Sequence, residues 1–223
     1  MTTEEPFSAK LTGIEEKFPS QTLGNDKWYL VALSALVGVE PEHVGTLYTY
    51  LINKAEYATS ESRYSLIRRI REGLVENVSI QGVAKPIEAI MSIVKVEQPE
   101  DMEFSCSREN WQLGAIYKGN LSTATDNFKA NKDFDWISRN ITYGLYLSDH
   151  SILGPVETEL IVLTGIMIQN LKLPTAWHLR GIRRVGVSQE DVEKLQQCIE
   201  LVAQFGGVSL HKVPRIADVE HEV

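Results

Sequence analysis

Apolar residues recur along this chain at spacings of three and four, and strict alternation over strand lengths is rare. That is the period of a helix, whose residues at i, i+3 and i+4 share a face. After Pro41, which suits a first helical turn, Val44, Leu47, Tyr48, Leu51 and Ile52 fall on one stripe. Between Ser62 and about Ile80 a second stripe carries Leu66, Ile67, Ile70, Leu74 and Val78, with Arg63, Arg68, Arg71 and Glu72 expected mostly on the opposite side. Gly82 and Pro86 then break and restart the chain. The run from Glu157 to Ile168 is apolar on nearly every side, the pattern of a helix enclosed by others. Pro174 restarts a helix through Trp177, Ile182 and Val185 that stops at Gly186. Ser188, with Asp191 three residues on, makes a capping-box pattern ahead of Val192, Leu195, Ile199 and Val202, and Gly206 and Gly207 end that element. The predicted fold class is all-α.

The pattern also repeats. In each half a very apolar helix (Trp28–Val37, then Glu159–Ile168) precedes a Pro-started helix and a long helix. The long helices run into Ile80-Gln-Gly-Val83 and Phe205-Gly-Gly-Val208. The period is far longer than the ~20–50 residues of a solenoid, so it reads as one helical unit duplicated. The expected organisation is a mobile arm over residues 1–20, a first unit over 21–95, a linker with connecting helices over 96–140, a second unit over 141–213 and a tail over 214–223. Trp111, Ile116, Tyr117, Trp136, Ile137 and Tyr143 suggest connecting helices rather than a separate domain.

Composition narrows the function classes. With 43% hydrophobic and 23% charged residues, the 223-residue chain is ordinary globular material. A net charge of −8, with no basic stretches interleaved with aromatics, argues against nucleic acid as the partner. No apolar run reaches the ~18 residues of a membrane span. Met1–Lys10 reads as neither a secretory signal nor a transit peptide, so a cytoplasmic protein is expected. Cys106 and Cys198 form no CxxC, which removes a disulfide framework and a cysteine-rich metal site. Four-ligand zinc spacing and glycine-rich phosphate loops are absent as well, and neither metal nor cofactor is expected.

The stretch Trp177-His-Leu-Arg-Gly-Ile-Arg-Arg-Val-Gly-Val-Ser-Gln-Glu-Asp-Val-Glu193, followed by Phe205-Gly-Gly207, resembles the carboxymuconolactone decarboxylase and AhpD-like superfamily. Tyr143–Glu159 resembles the segment entering the preceding family helix. The likeness is good over about residues 140–213 and weaker over 28–94, and the two-unit length resembles the fungal members. It implies an AhpD-like helical bundle, a homo-oligomer of identical subunits, and a cofactor-independent lyase or isomerase acting on a small carboxylated lactone or keto acid. The thiol peroxidase branch of that family works through a CxxC pair, which this chain lacks. The decarboxylase branch commonly has Arg where Thr158 stands. A non-catalytic binding or assembly role is the alternative.

His178 shares a helix face with Ile182 and Val185, so its ring is expected to point inward, either to move a proton at neutral pH or to sit satisfied by a backbone carbonyl. The resemblance favours the first. Glu157 and Glu159 both fall in the first turn of an apolar helix, where a carboxylate suits the helix dipole. Glu159, on a face with Leu163 and Ile166, is expected to be the more buried and to serve as acid, base or orienting group. Arg180, within the family's His-Leu-Arg run, is assigned to a substrate carboxylate, which a guanidinium fork matches. Arg183 and Arg184 are read as surface or subunit contacts. His150, in a loop before the Glu-bearing helix, is a second candidate proton carrier, and Trp177 and Tyr143 are candidate pocket walls. Cys198 reads as an inert core thiol.

Overall fold

A helix that is apolar on every side must be surrounded, and two such helices define the centre of this protein. In the computed structural model, which describes residues 7–101 and 136–223, these are α3 (Trp28–Val39) and α7 (Pro155–Met167). Trp28 to Val37 and Leu160 to Met167 are buried without a break. The others in chain order are α1 (Phe7–Lys17), α2 (Ser20–Leu23), α4 (Val44–Ile52), α5 (Ser60–Gln81), α6 (Ala84–Val94), α8 (Lys172–Arg184), α9 (Gln189–Phe205) and α10 (Ile216–Val219). A π-helix covers Ser138–Tyr146, a rare winding that recurs at functional sites. Among the described residues there is no strand, and no helix is long and apolar enough to cross a membrane.

α3 packs directly on α7. The long α5 lies against both, and α9 lies against α3, so the long helix of each half meets the apolar helix of the other. One continuous apolar core therefore draws on both halves of the chain. At the crossing of α3, α5 and α7, the Ser34 hydroxyl lies 2.9 Å from Asn77 Oδ1 and 2.8 Å from the Ile161 carbonyl, so its single proton is shared between two acceptors. Gly82 and Gly207, at the ends of the two long helices, both take positive φ (82° and 66°), a backbone state that glycine adopts without a Cβ penalty.

Four expectations need revision. The segment expected as a mobile arm is helical from Phe7, and Leu11, Ile14 and Phe18 are buried in the core against α3, α4 and α9. Glu72, expected on an outward face, is buried together with Glu76, because α5 is covered by α6 and the π-helix as well as by α3 and α7. The C-terminal residues are anchored: Ile216 and Val219 are buried, and the Gln196 side chain bonds both the Pro214 carbonyl (2.8 Å) and the Ile216 N–H (2.9 Å). Glu157, not Glu159, is the more buried of the two helix-entry carboxylates. Ser188 does cap α9, accepting from the Asp191 N–H at 3.1 Å. Most of the expected linker, with Trp111, Ile116 and Tyr117, lies outside the described residues.

Candidate functional site

The connection between α7 and α8 is short, so the two helices run back against each other and bring their polar positions into register. Glu159, in the second turn of α7, accepts a hydrogen bond from His178 Nδ1 of α8, Nδ1 to Oε1 2.7 Å. The two side chains are 14% and 18% exposed, so the bond is largely shielded without being sealed. A carboxylate can only accept, which fixes the proton on Nδ1 and leaves Nε2 as the reactive nitrogen. Nε2 has no hydrogen-bond partner among the described residues.

Burial alone would push the His178 pKa down. The charge of Glu159 and the hydrogen bond to it outweigh that, and the net effect is a pKa above the ordinary imidazole value. Tyr143, on the π-helix, has its phenol pKa raised by burial first and by the nearby Glu159 charge second. Its ring joins a small apolar cluster of Leu147, Val162, Ile166, Ile80 and Tyr146 that seats the π-helix against α5 and α7. Of the residues picked out in the sequence, Glu159 and His178 are thus brought together by two helices, and Tyr143 of the π-helix is near enough to feel the Glu159 charge.

The remaining candidates lie apart from that cluster or engage elsewhere. Arg180 is two residues from His178, on a different side of α8, and is ion-paired with Glu222 near the C-terminus. Its neighbour Arg183 forks onto Glu220, with Nη2 to Oε1 at 2.6 Å and Nε to Oε2 at 3.0 Å. Arg184 Nη2 donates to the Glu222 carbonyl at 3.1 Å. His150 turns into its own loop, Nδ1 lying 3.2 Å from the Leu153 carbonyl. Trp177 is exposed. Glu157 serves another purpose: its Oε2 accepts from the Gly154 N–H at 2.7 Å, capping α7, while Oε1 is paired with Arg69 of α5. Arg69 Nε in turn donates to the Tyr29 hydroxyl at 2.6 Å, which ties the starts of α3 and α7 to the middle of α5.

Two neighbours of the pair were not found from the sequence. Glu76 accepts from the Thr158 hydroxyl at 2.8 Å, a second buried carboxylate on the residue beside Glu159. Gly181 lies one turn beyond His178, and a Cβ there would stand 2.9 Å from Glu159 Oε1. A glycine inside a helix costs about 1 kcal/mol relative to alanine, and that cost was the available signal of a close approach. Among the described residues no cluster of His, Cys, Asp and Glu is arranged to hold a metal. A groove of about 510 Å³ between the α1–α2 turn and the start of α9 is lined by residues such as Lys17, Ser20 and Asp191, and includes neither His178 nor Glu159.

The class defined by this arrangement is an all-α protein with a partly shielded carboxylate–imidazole pair on an antiparallel helix hairpin. No family model, curated protein or solved structure matches the chain.

Proposed function

We propose that this chain is a carboxymuconolactone decarboxylase-like, cofactor-independent lyase or isomerase of the AhpD-like superfamily. Its substrate class is a small carboxylated lactone or keto acid, and its chemistry is acid–base transfer at His178 Nε2. The observation that carries the reading is the 2.7 Å bond from His178 Nδ1 to Glu159. Glu159 holds the ring in one tautomer and stabilises the imidazolium, so Nε2 can release a proton to carbon and take one back. In decarboxylation of a β-keto acid the C–C bond breaks, its electron pair passes into the enolate, and the imidazolium protonates the carbon. In isomerisation the neutral ring removes a proton from one carbon and returns it at another. A raised His178 pKa favours the protonated starting form that the first route needs.

A second reading, a helical binding or assembly protein without catalysis, is favoured by one observation. Arg180, the group assigned to a substrate carboxylate, is ion-paired with Glu222, and a ligand would have to displace it. Turnover of a panel of carboxylated lactones and β-keto acids, followed by mass spectrometry for wild type, His178→Gln and Glu159→Gln, separates the two. Circular dichroism would verify that all three are folded. The catalytic reading expects conversion by wild type and a drop of about 10²–10⁴-fold in a folded His178→Gln chain. Conversion that is unchanged in that variant would overturn it.

A further inference from the structure

α6 is apolar on two sides, and the chain covers one of them. Pro86, Ala89, Ser92 and Ile93 are buried against α4, α5 and the turn at Pro41–His43, where Ser92 Oγ accepts from the Gly45 N–H at 2.8 Å. On the other side Val83, Ile87, Ile90, Met91 and Val94, spaced at i, i+4, i+7, i+8 and i+11, are 41–57% exposed, with Val96 continuing the patch. Single exposed apolar residues are ordinary, but a continuous helical stripe of them marks a surface that something covers.

The flanking charges identify the occupant. Lys85 is on the far side and donates to the Gly38 carbonyl at 2.6 Å. Glu88 and Lys95 are both exposed and, seven residues apart, lie on the same flank of the stripe. A two-fold axis beside Met91 lays α6 antiparallel on its own copy, with Ile87 over Val94 and Ile90 over Met91. Such an axis sets each flank against the same flank of the other chain. Within one residue of that register, Glu88 of one copy faces Lys95 of the other, and the reverse pair forms on the other side of the axis. A membrane surface would instead favour Lys and Arg along the stripe's edges, and a chain of net charge −8 with Glu88 at the rim does not supply that. We propose that the exposed face of α6 is a self-complementary, antiparallel interface between two copies of this chain.

The test is sedimentation of the full chain as wild type, Ile90→Glu, Glu88→Lys, and Glu88→Lys with Lys95→Glu. The proposal expects wild type to associate, Ile90→Glu to lose the α6-mediated step with an unchanged helical spectrum, and Glu88→Lys to weaken association on the order of tenfold. The double reversal restores the two cross-pairs and should restore association. If Ile90→Glu misfolds, the surface charge series decides alone. A wild-type chain still monomeric at about 0.1 mM, its α6 stripe covered by its own residues 102–135 or by nothing, would overturn the proposal. So would an assembly indifferent to all three variants.

Discussion

Replacing Gly181 by alanine separates the stability of α8 from the geometry of the candidate site. Gly181 lies inside α8, so alanine should favour the helix by about 1 kcal/mol. The new Cβ, however, would stand 2.9 Å from Glu159 Oε1, closer than such atoms approach, with the Cδ behind it at an ordinary 3.5 Å. The carboxylate is at the end of a flexible side chain and can swing away, at the cost of the bond to His178. A hydrogen bond to a charged partner is worth about 1.5–3 kcal/mol and a neutral one about 1 kcal/mol. With His178 protonated, the variant should therefore be about 1 kcal/mol less stable than wild type; with it neutral, gain and loss nearly cancel. His178 has a raised folded-state pKa, so its contribution is complete below the unfolded value near ~6.5 and is lost as pH rises through the folded pKa. Without Glu159 only burial remains, and the His178 pKa should fall below the ordinary imidazole value. Urea unfolding at about pH 6 and about pH 9, with an NMR titration of the His178 ring, reads both effects. A stability difference equal at the two pH values, or a His178 pKa that does not fall in a folded Gly181→Ala chain, would refute the reasoning.

Two further substitutions test the groups around the site. Arg69→Met leaves the Glu157 carboxylate, 10% exposed, without its cation and should lower unfolding free energy by about 3 kcal/mol in urea titrations; a loss under about 1 kcal/mol would mean that Glu157 is adequately served by the Gly154 N–H alone. Arg180→Ala and Glu222→Gln, made singly and together, should couple by about 0.2–1 kcal/mol in a double-mutant cycle, and zero coupling would mean that Arg180 is available to an external carboxylate.

Helices were legible in this sequence because burial here is periodic and local. Ser188 and Asp191 announce the start of α9, and α3 and α7 announce themselves by having no polar side. Even α1 was legible in principle: Leu11, Ile14 and Phe18 are buried at i, i+3 and i+7, a stripe that an acidic, Pro-containing start made easy to read as an arm. Burial of Glu72 was not, since it depends on α6 and the π-helix arriving on a side of α5 that its own periodicity leaves polar.

What a charged residue does depends on what stands opposite, and the legibility of that falls with separation along the chain. Arg69 meets Glu157 across 88 residues and Arg180 meets Glu222 across 42, distances over which no spacing rule connects one position to another. Glu159 and His178 are 19 apart on two helices joined by a short turn, so their heights can be counted. At about 1.5 Å per residue, Glu159 stands about 12 Å back from the end of α7 and His178 about 9 Å along α8, so an antiparallel pairing brings them to within about 3 Å of the same height, within reach of two long side chains. Gly181, one turn further along α8, is then the position at which a side chain would crowd the same carboxylate. The pair and the space it occupies are therefore properties of one helix hairpin, which is why substitutions within that hairpin are the sharpest test of what the pair does.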